Sequence, residues 1–130
     1  MQASRPAIET ETDQPSSQHL SDLRFADLSL SPALQRGIAE AGFVQCTPIQ
    51  SKTLPIAIDG QDVAGQAQTG TGKTAAFLVS MFQTLVTRPP REGRSPAAIR
   101  GICIAPTREL AVQIHNDAVV LGKYTGLRLC

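Results

Sequence analysis

No window of the chain approaches the roughly 18 consecutive apolar residues that a membrane span requires, so the sequence reads as that of a soluble protein. Nor does it open on a basic stretch followed by an apolar one: Met1-Gln2-Ala3 leads into polar residues, which is not the pattern expected of a secretory signal. Its three cysteines, Cys46, Cys103 and Cys130, are an odd number without a C-x-x-C pair, a usage that points to a reducing cytosol. Charge is equally sparse. A net charge of +1 with 18% charged residues is neither the basicity of a dedicated nucleic-acid clamp nor the excess of a disordered chain, and names no partner. There is no internal repeat, and 130 residues can bury one modest core.

The pattern that is present alternates strands with helices. Residues 1 to about 20 are rich in Ser, Thr, Gln, Glu and Pro and are expected to form a disordered tail, because they hold too little apolar surface to offset the entropy of ordering. Ser31 then caps a helix that starts at Pro32, carries Leu34, Ile38 and Ala41 at helical spacing and ends at Gly42. A second helix is predicted from Pro48 to Gly60, with Pro55 as a kink or break. Asp62 to Gln66 reads as a short strand, and Lys73 to about Thr87 as a helix with Phe77, Leu78, Met81, Phe82 and Leu85 at helical intervals. Arg88 to Pro96 reads as a surface loop, and Ile99 to Ala105 as a buried parallel strand. Thr107 opens a further helix through Leu110, Ile114 and Leu121, and Leu127 to Cys130 begins another strand. The expected fold class is α/β, a parallel sheet flanked by helices.

Between the first strand and its helix lies Ala67-Gln68-Thr69-Gly70-Thr71-Gly72-Lys73-Thr74. Glycines allow successive backbone N–H groups to face phosphate oxygens at a helix N-terminus, whose dipole favours negative charge. Lys73 would reach the β- and γ-phosphates, Thr74 would give its hydroxyl to a magnesium ion, and the amides from Thr69 to Lys73 would hold the remaining oxygens. The strict phosphate-loop pattern has Gly where this chain has Ala67. A Gly/Thr turn with a stray lysine is the bland alternative, and the strand-loop-helix context weighs against it.

A phosphate loop by itself also serves kinases, motors and GTPases. Upstream, however, stands Gly42-Phe43-Val44-Gln45-Cys46-Thr47-Pro48-Ile49-Gln50, with Phe25 a further 17 residues ahead of Gly42. Downstream stands Ala105-Pro106-Thr107-Arg108-Glu109-Leu110-Ala111. In this order the three segments resemble the Q motif, motif I and motif Ia of DEAD-box ATP-dependent RNA helicases. The resemblance runs from about Phe25 to Cys130 and implies a partial RecA-like domain over residues 21–130. It also implies roles for individual residues. Gln50 would pair with the Hoogsteen edge of adenine, one amide offering a donor and an acceptor together. Phe25 would stack on the adenine ring, against the alternative that it is a core residue. Pro106, Thr107 and Arg108 would grip the RNA backbone without regard to sequence, with Thr107 and Glu109 also serving as ordinary cap and first-turn acid. Gln68, Thr69, Gly70, Thr71, Gly72, Lys73 and Thr74 would hold ATP with Mg2+. Cys46 stands where many family members have proline and should leave the adenine contacts unchanged.

The wording of these segments is most like that of a bacterial branch of the family associated with RNA-degrading multienzyme machinery, which implies RNA as partner and a cytoplasmic location. The family's Asp-Glu-Ala-Asp and Ser-Ala-Thr segments, and its second domain with arginine fingers, would lie beyond Cys130. The chain is therefore expected to be a truncated domain with negligible hydrolysis alone, since loss of one arginine finger typically costs about 10³ to 10⁵ in rate. A non-catalytic module that keeps ATP or RNA affinity is an alternative. An unrelated phosphate-loop enzyme is another, though it would need neither Gln50 nor the Pro106 to Leu110 segment. Arg88, Arg91, Arg94 and Arg100 read as a solvated basic loop more readily than as an RNA contact, and His115 as an ordinary helix residue; no protein-ligated metal is assigned.

Overall fold

Helix starts follow the local chemistry of the sequence closely. In the computed structural model, which describes residues 20–130, Ser31 is the N-cap of α1 (Pro32–Glu40) and its Oγ accepts from the Leu34 N–H at 3.3 Å. Pro32 costs nothing at the first position, where no N–H partner exists. The chain leaves α1 through Gly42, at φ 86°. Thr107 caps α4 (Arg108–Leu121) in the same way, its hydroxyl accepting from the Leu110 N–H at 3.2 Å. Between them lie α2 (Pro48–Ile58) and α3 (Lys73–Thr87). The polar stretch 1–20 lies outside the described residues except for Leu20, which is exposed.

Pro55 does not break α2, which runs continuously past it. A proline inside a helix removes one main-chain donor and crowds the preceding turn. Here Gln50 and Leu54, both buried on the side that meets α3, hold the two turns in line. On α3 the buried face is Ala75, Ala76, Leu78, Val79, Phe82 and Gln83. Phe77, expected among the packed apolar positions, is exposed instead. The core joins this face to Leu34 and Ile38 of α1, Leu54 of α2, and Ile114, Ala118 and Leu121 of α4.

The expected strands are not seen as strands: among the described residues there is no sheet. Residues 62–66 and 101–105 make no main-chain hydrogen bond to any described residue. A strand exists by virtue of a hydrogen-bonded neighbour, and neither segment has one among the described residues. A Cβ on Gly65 would sit 3.4 Å from Ile49 of α2, and one on Gly101 3.1 Å from Met81 of α3. The pairing that does form was not foreseen. Residues 21–25 run antiparallel to 44–46, through Phe25 N–H to Val44 C=O (3.0 Å) and Cys46 N–H to Leu23 C=O (2.8 Å), with an isolated bridge between Arg24 and Gln45.

On the surface, α1 is tied to the segment after α4. The Glu40 carboxylate accepts from Lys123 Nζ at 2.5 Å and from the Tyr124 hydroxyl, and the Arg36 guanidinium lies 3.9 Å from the centre of the Tyr124 ring. The hydrogen bonds from Lys123 and Tyr124 hold the Glu40 carboxyl below the usual carboxylate range, and Glu40 in turn raises Lys123. Of the four arginines in the 88–100 stretch, two are turned onto main-chain carbonyls. Arg100 donates to Leu85 and Arg88 at the end of α3, and Arg94 to Ile99. Cations at a helix C-terminus satisfy its last carbonyls and complement its dipole, which gives Arg100 a structural task at the end of α3, while Arg94 closes its own loop.

Candidate functional site

The site is built where α2 begins beside the start of α3. Thr47 precedes α2, and three residues later Gln50 reaches back: its Oε1 accepts from the Thr47 N–H at 2.8 Å. Gln50 is 1% exposed, so this bond is made away from water. Both residues then hold the glycine-rich loop from behind. Thr47 Oγ1 donates to the Thr71 carbonyl at 2.7 Å, and Gln50 Nε2 to the Gly72 carbonyl at 3.1 Å. The two upstream residues thus secure consecutive carbonyls of the loop.

Inside the loop, Thr71 Oγ1 donates to the Gln68 carbonyl at 2.7 Å, closing a tight turn over Thr69 and Gly70. Gly70 and Gly72 have φ of 79° and 88°, in the left-handed region that favours glycine. A Cβ on Gly70 would meet nothing within 4 Å, whereas one on Gly72 would lie 2.4 Å from Gln50 Nε2. Gly70 faces open space; Gly72 is the point of closest approach between the loop and α2. Gln68, Thr69 and Gly70 are exposed at the head of a helix of 15 residues, an arrangement suited to an anion. Lys73 is half-buried and donates its ammonium to the Ala67 carbonyl across the mouth of the loop. Thr74 is half-buried in the first turn of α3. An exposed glycine-rich turn at the head of a long helix, with a lysine ammonium at its mouth, fits a polyphosphate.

Gly72→Ala follows as a direct test. The new methyl would require both a strained φ and displacement of Gln50, so nucleotide affinity should fall at least about tenfold, with a stability loss of about 1–2 kcal/mol from the left-handed backbone alone. Gly70→Ala, which adds the same methyl into open space, should show the backbone cost without the clash. Thermal melts and nucleotide titrations of the two variants side by side measure the difference.

The other expected site residues fall in two places. Phe25 is 2% exposed in a 3-10 turn (Phe25–Asp27) and meets Phe43 edge-on, ring centres 5.8 Å apart. Its ring packs in the core, the alternative that the sequence also allowed beside stacking on adenine. Pro106, Thr107 and Arg108 lie together and exposed at the head of α4, Thr107 engaged as its cap. No hydrogen bond joins them to the glycine-rich loop among the described residues. Cys46 is fully buried, its thiol pushed up by desolvation and, less, by the charge of Asp27. Sequence reasoning gave Thr47 no task, although the spacing Thr-x-x-Gln ahead of a helix is the signature of a capping box and could have marked it.

The DEAD/DEAH box helicase family model matches residues 47–130, beginning at Thr47 itself. The ATP-dependent RNA helicase RhlB of Vibrio campbellii is 54% identical over 110 residues, which cover 85% of this chain and 25% of the relative. RhlB of Xanthomonas campestris pv. campestris is 57% identical over 109 residues, covering 84% of this chain and 19% of the relative. Among solved structures, Saccharomyces cerevisiae Dbp5 bound to RNA and ADP BeF3 is 38% identical with a TM-score of 0.64, over 78% of this chain and 25% of that one. The chain spans a quarter or less of the length of these relatives. With Thr47 and Gln50 bonded to the phosphate-type loop and the family model covering both, the chain belongs to the DEAD/DEAH box helicase family.

Proposed function

We propose that this chain is the nucleotide-gripping portion of an ATP-dependent RNA helicase of the RhlB kind, an N-terminal part of a RecA-like α/β domain over residues 21–130. The observation that carries the reading is the pair of bonds from Thr47 and Gln50 to the Thr71 and Gly72 carbonyls. It joins the adenine-type motif to the phosphate-type loop, as an ATP site requires. When bound, ATP with Mg2+ would supply the energy-yielding phosphoryl bond. The residues present would hold it: the amides of Thr69 to Lys73 and the Lys73 ammonium on the phosphates, and the Thr74 hydroxyl on the metal.

Gln50 keeps one amide proton and one carbonyl lone pair beyond those it already uses, a donor and acceptor matching the adenine edge. At 1% exposure they are reached only when the residues covering Gln50 move aside. Arg108 and the free N–H groups at the head of α4 would take RNA phosphates, which carry no sequence information and suit an enzyme that must pass any base. The segments 62–66 and 99–105 would be two strands of a parallel sheet. Cytoplasmic location, and a place among RNA-degrading enzymes, rest on likeness to RhlB; among the described residues no helix is long and apolar enough to cross a membrane.

A second reading has its own support. None of the 130 residues forms an Asp-Glu-Ala-Asp segment, so a chain that binds ATP without turning it over is also consistent with the sequence. One experiment addresses both. The 130-residue chain is titrated with a fluorescent ATP analogue, with ATP and GTP as competitors, and assayed in parallel for RNA-stimulated phosphate release. Saturable binding, displaced by ATP in preference to GTP and without phosphate release, is the expected result. Equal displacement by GTP would remove the adenine-reading role of Gln50.

A further inference from the structure

One side chain outside the three motif segments ties down the turn that precedes α1. Gln35, half-buried on α1, donates from Nε2 to the Phe25 carbonyl at 2.8 Å and to the Leu28 carbonyl at 3.1 Å, which uses both of its amide protons. The two acceptors open and close the 3-10 turn Phe25–Asp27. Each also takes a main-chain donor from close by, the Leu28 N–H at 3.2 Å and the Leu30 N–H at 2.8 Å. Those short-range bonds shape the turn, whereas Gln35 is its polar tie to α1. Removing the Gln35 amide would therefore free the turn without orphaning either carbonyl.

The turn in turn holds the entry to the nucleotide site. The Phe25 N–H donates to the Val44 carbonyl at 3.0 Å and the Cys46 N–H to the Leu23 carbonyl at 2.8 Å, while the Cys46 carbonyl accepts from the N–H and the Oγ of Ser21 at 2.8 and 2.9 Å. Residues 44–46, fixed in this way, run directly into Thr47, whose N–H donates to Gln50 Oε1 and whose hydroxyl donates to the Thr71 carbonyl. At the other end of the segment, Gln83 of α3 accepts from the Ser31 N–H at 2.8 Å and donates to the Ser29 carbonyl at 3.4 Å. Residues 21–31 thus form a brace, pinned to Cys46 at one end and to α3 at the other, with Gln35 holding its middle.

We infer that Gln35 is a positioning residue for the base side of the nucleotide site, acting through the Phe25 turn and residues 44–46 on Thr47 and Gln50; the inference rests on the ATP reading proposed above. The phosphate side has its own support, because the bonds from Thr47 and Gln50 to the Thr71 and Gly72 carbonyls do not involve the brace. What the brace adds is the placement of the segment from which Gln50 offers its remaining donor and acceptor. Loss of Gln35 should therefore lower selectivity for the base more than affinity for the phosphates.

The test compares Gln35→Met, which keeps length and helix propensity but has no donor, with Gln35→Lys, which restores a donor able to serve two carbonyls. In the full 130-residue chain, ATP and GTP compete with a fluorescent ATP analogue. Gln35→Met should weaken ATP about fivefold more than GTP, with helical circular dichroism and melting temperature near those of the parent, and Gln35→Lys should recover the preference. Amide hydrogen exchange without nucleotide reads the brace itself: Phe25 and Cys46 should exchange faster in Gln35→Met, with α4 unchanged. Gln61→Met, the same replacement at an exposed position whose amide reaches the Asp59 carboxylate, should alter neither readout. Equal weakening of ATP and GTP, unchanged exchange at Phe25 and Cys46, or no recovery in Gln35→Lys would each overturn the role of Gln35. A parent that takes ATP and GTP alike would sink the ATP reading and this inference with it, whereas a parent that prefers ATP beside a Gln35→Met variant that prefers it equally would sink only the inference.

Discussion

Gln50→Ala should be the most disruptive single change in this chain, in stability first and in nucleotide binding as a consequence. The carboxamide is buried and spans two main-chain groups, the Thr47 N–H at 2.8 Å and the Gly72 carbonyl at 3.1 Å. Truncation leaves both without that partner and opens a space between α2 and the loop. A buried polar group deprived of its hydrogen bond costs about 1–3 kcal/mol, so a total near 2–4 kcal/mol is expected. For a domain of this size that is roughly a 10 °C fall in melting temperature. ATP and GTP should both bind more weakly, since the Gly72 carbonyl anchors the loop whatever the base. Gln50→Glu sharpens the test. One carboxylate oxygen can still accept from Thr47, but the other would face the Gly72 carbonyl with no proton to donate, so the loop should be lost with little change in side-chain volume. A melting temperature within a degree of the parent for either variant would show that the carboxamide does not hold the loop.

Lys73→Ala should separate binding from folding. The ammonium has one partner, the Ala67 carbonyl, and stands half-buried at the mouth of the loop, so its removal leaves the core and both anchoring bonds intact. Melting temperature should change by no more than a degree or two. Affinity for ATP and GTP alike should fall on the order of 10²-fold, because one charge-assisted contact to a phosphate is worth about 1.5–3 kcal/mol. Competitive displacement of a fluorescent nucleotide measures this directly. Unchanged affinity would mean that the loop does not grip phosphates through Lys73. Read together, the two residues make opposite predictions: Gln50 acts on the loop through the fold, and Lys73 on the ligand through charge.

The helices were legible because their signals are local. Ser31-Pro32 and Thr107 are caps whose hydroxyls meet an amide three residues on, and Gly42 ends a helix because it takes a positive φ at no steric cost. The loop was legible for the same reason: Gly70, Gly72 and Lys73 carry their chemistry in backbone freedom and charge, wherever the rest of the chain lies. Phe77 and Pro55 show where that reasoning stops. Helical spacing names the face of α3 on which Phe77 could pack, but only the arrangement of α2 and α4 around α3 decides that Phe77 is left outside. Pro55 is a breaker by its own chemistry, and packing beside α3 keeps its helix whole.

What the residues alone determined, then, was the set of elements that depend on near neighbours in the chain, and the membership in a helicase family that their order spells. Tertiary structure decided every relation between residues far apart. It turned Phe25 into core, gave Thr47 a place behind the loop, and brought Gln50 within 3.1 Å of a carbonyl 22 positions away. Among the described residues it shows no sheet: 62–66 and 99–105 have the composition of strands, but main-chain pairing is a property of two segments, and neither has a main-chain hydrogen-bonded partner there. A cap needs only the next turn, whereas a ladder needs a partner that no stretch of sequence contains by itself.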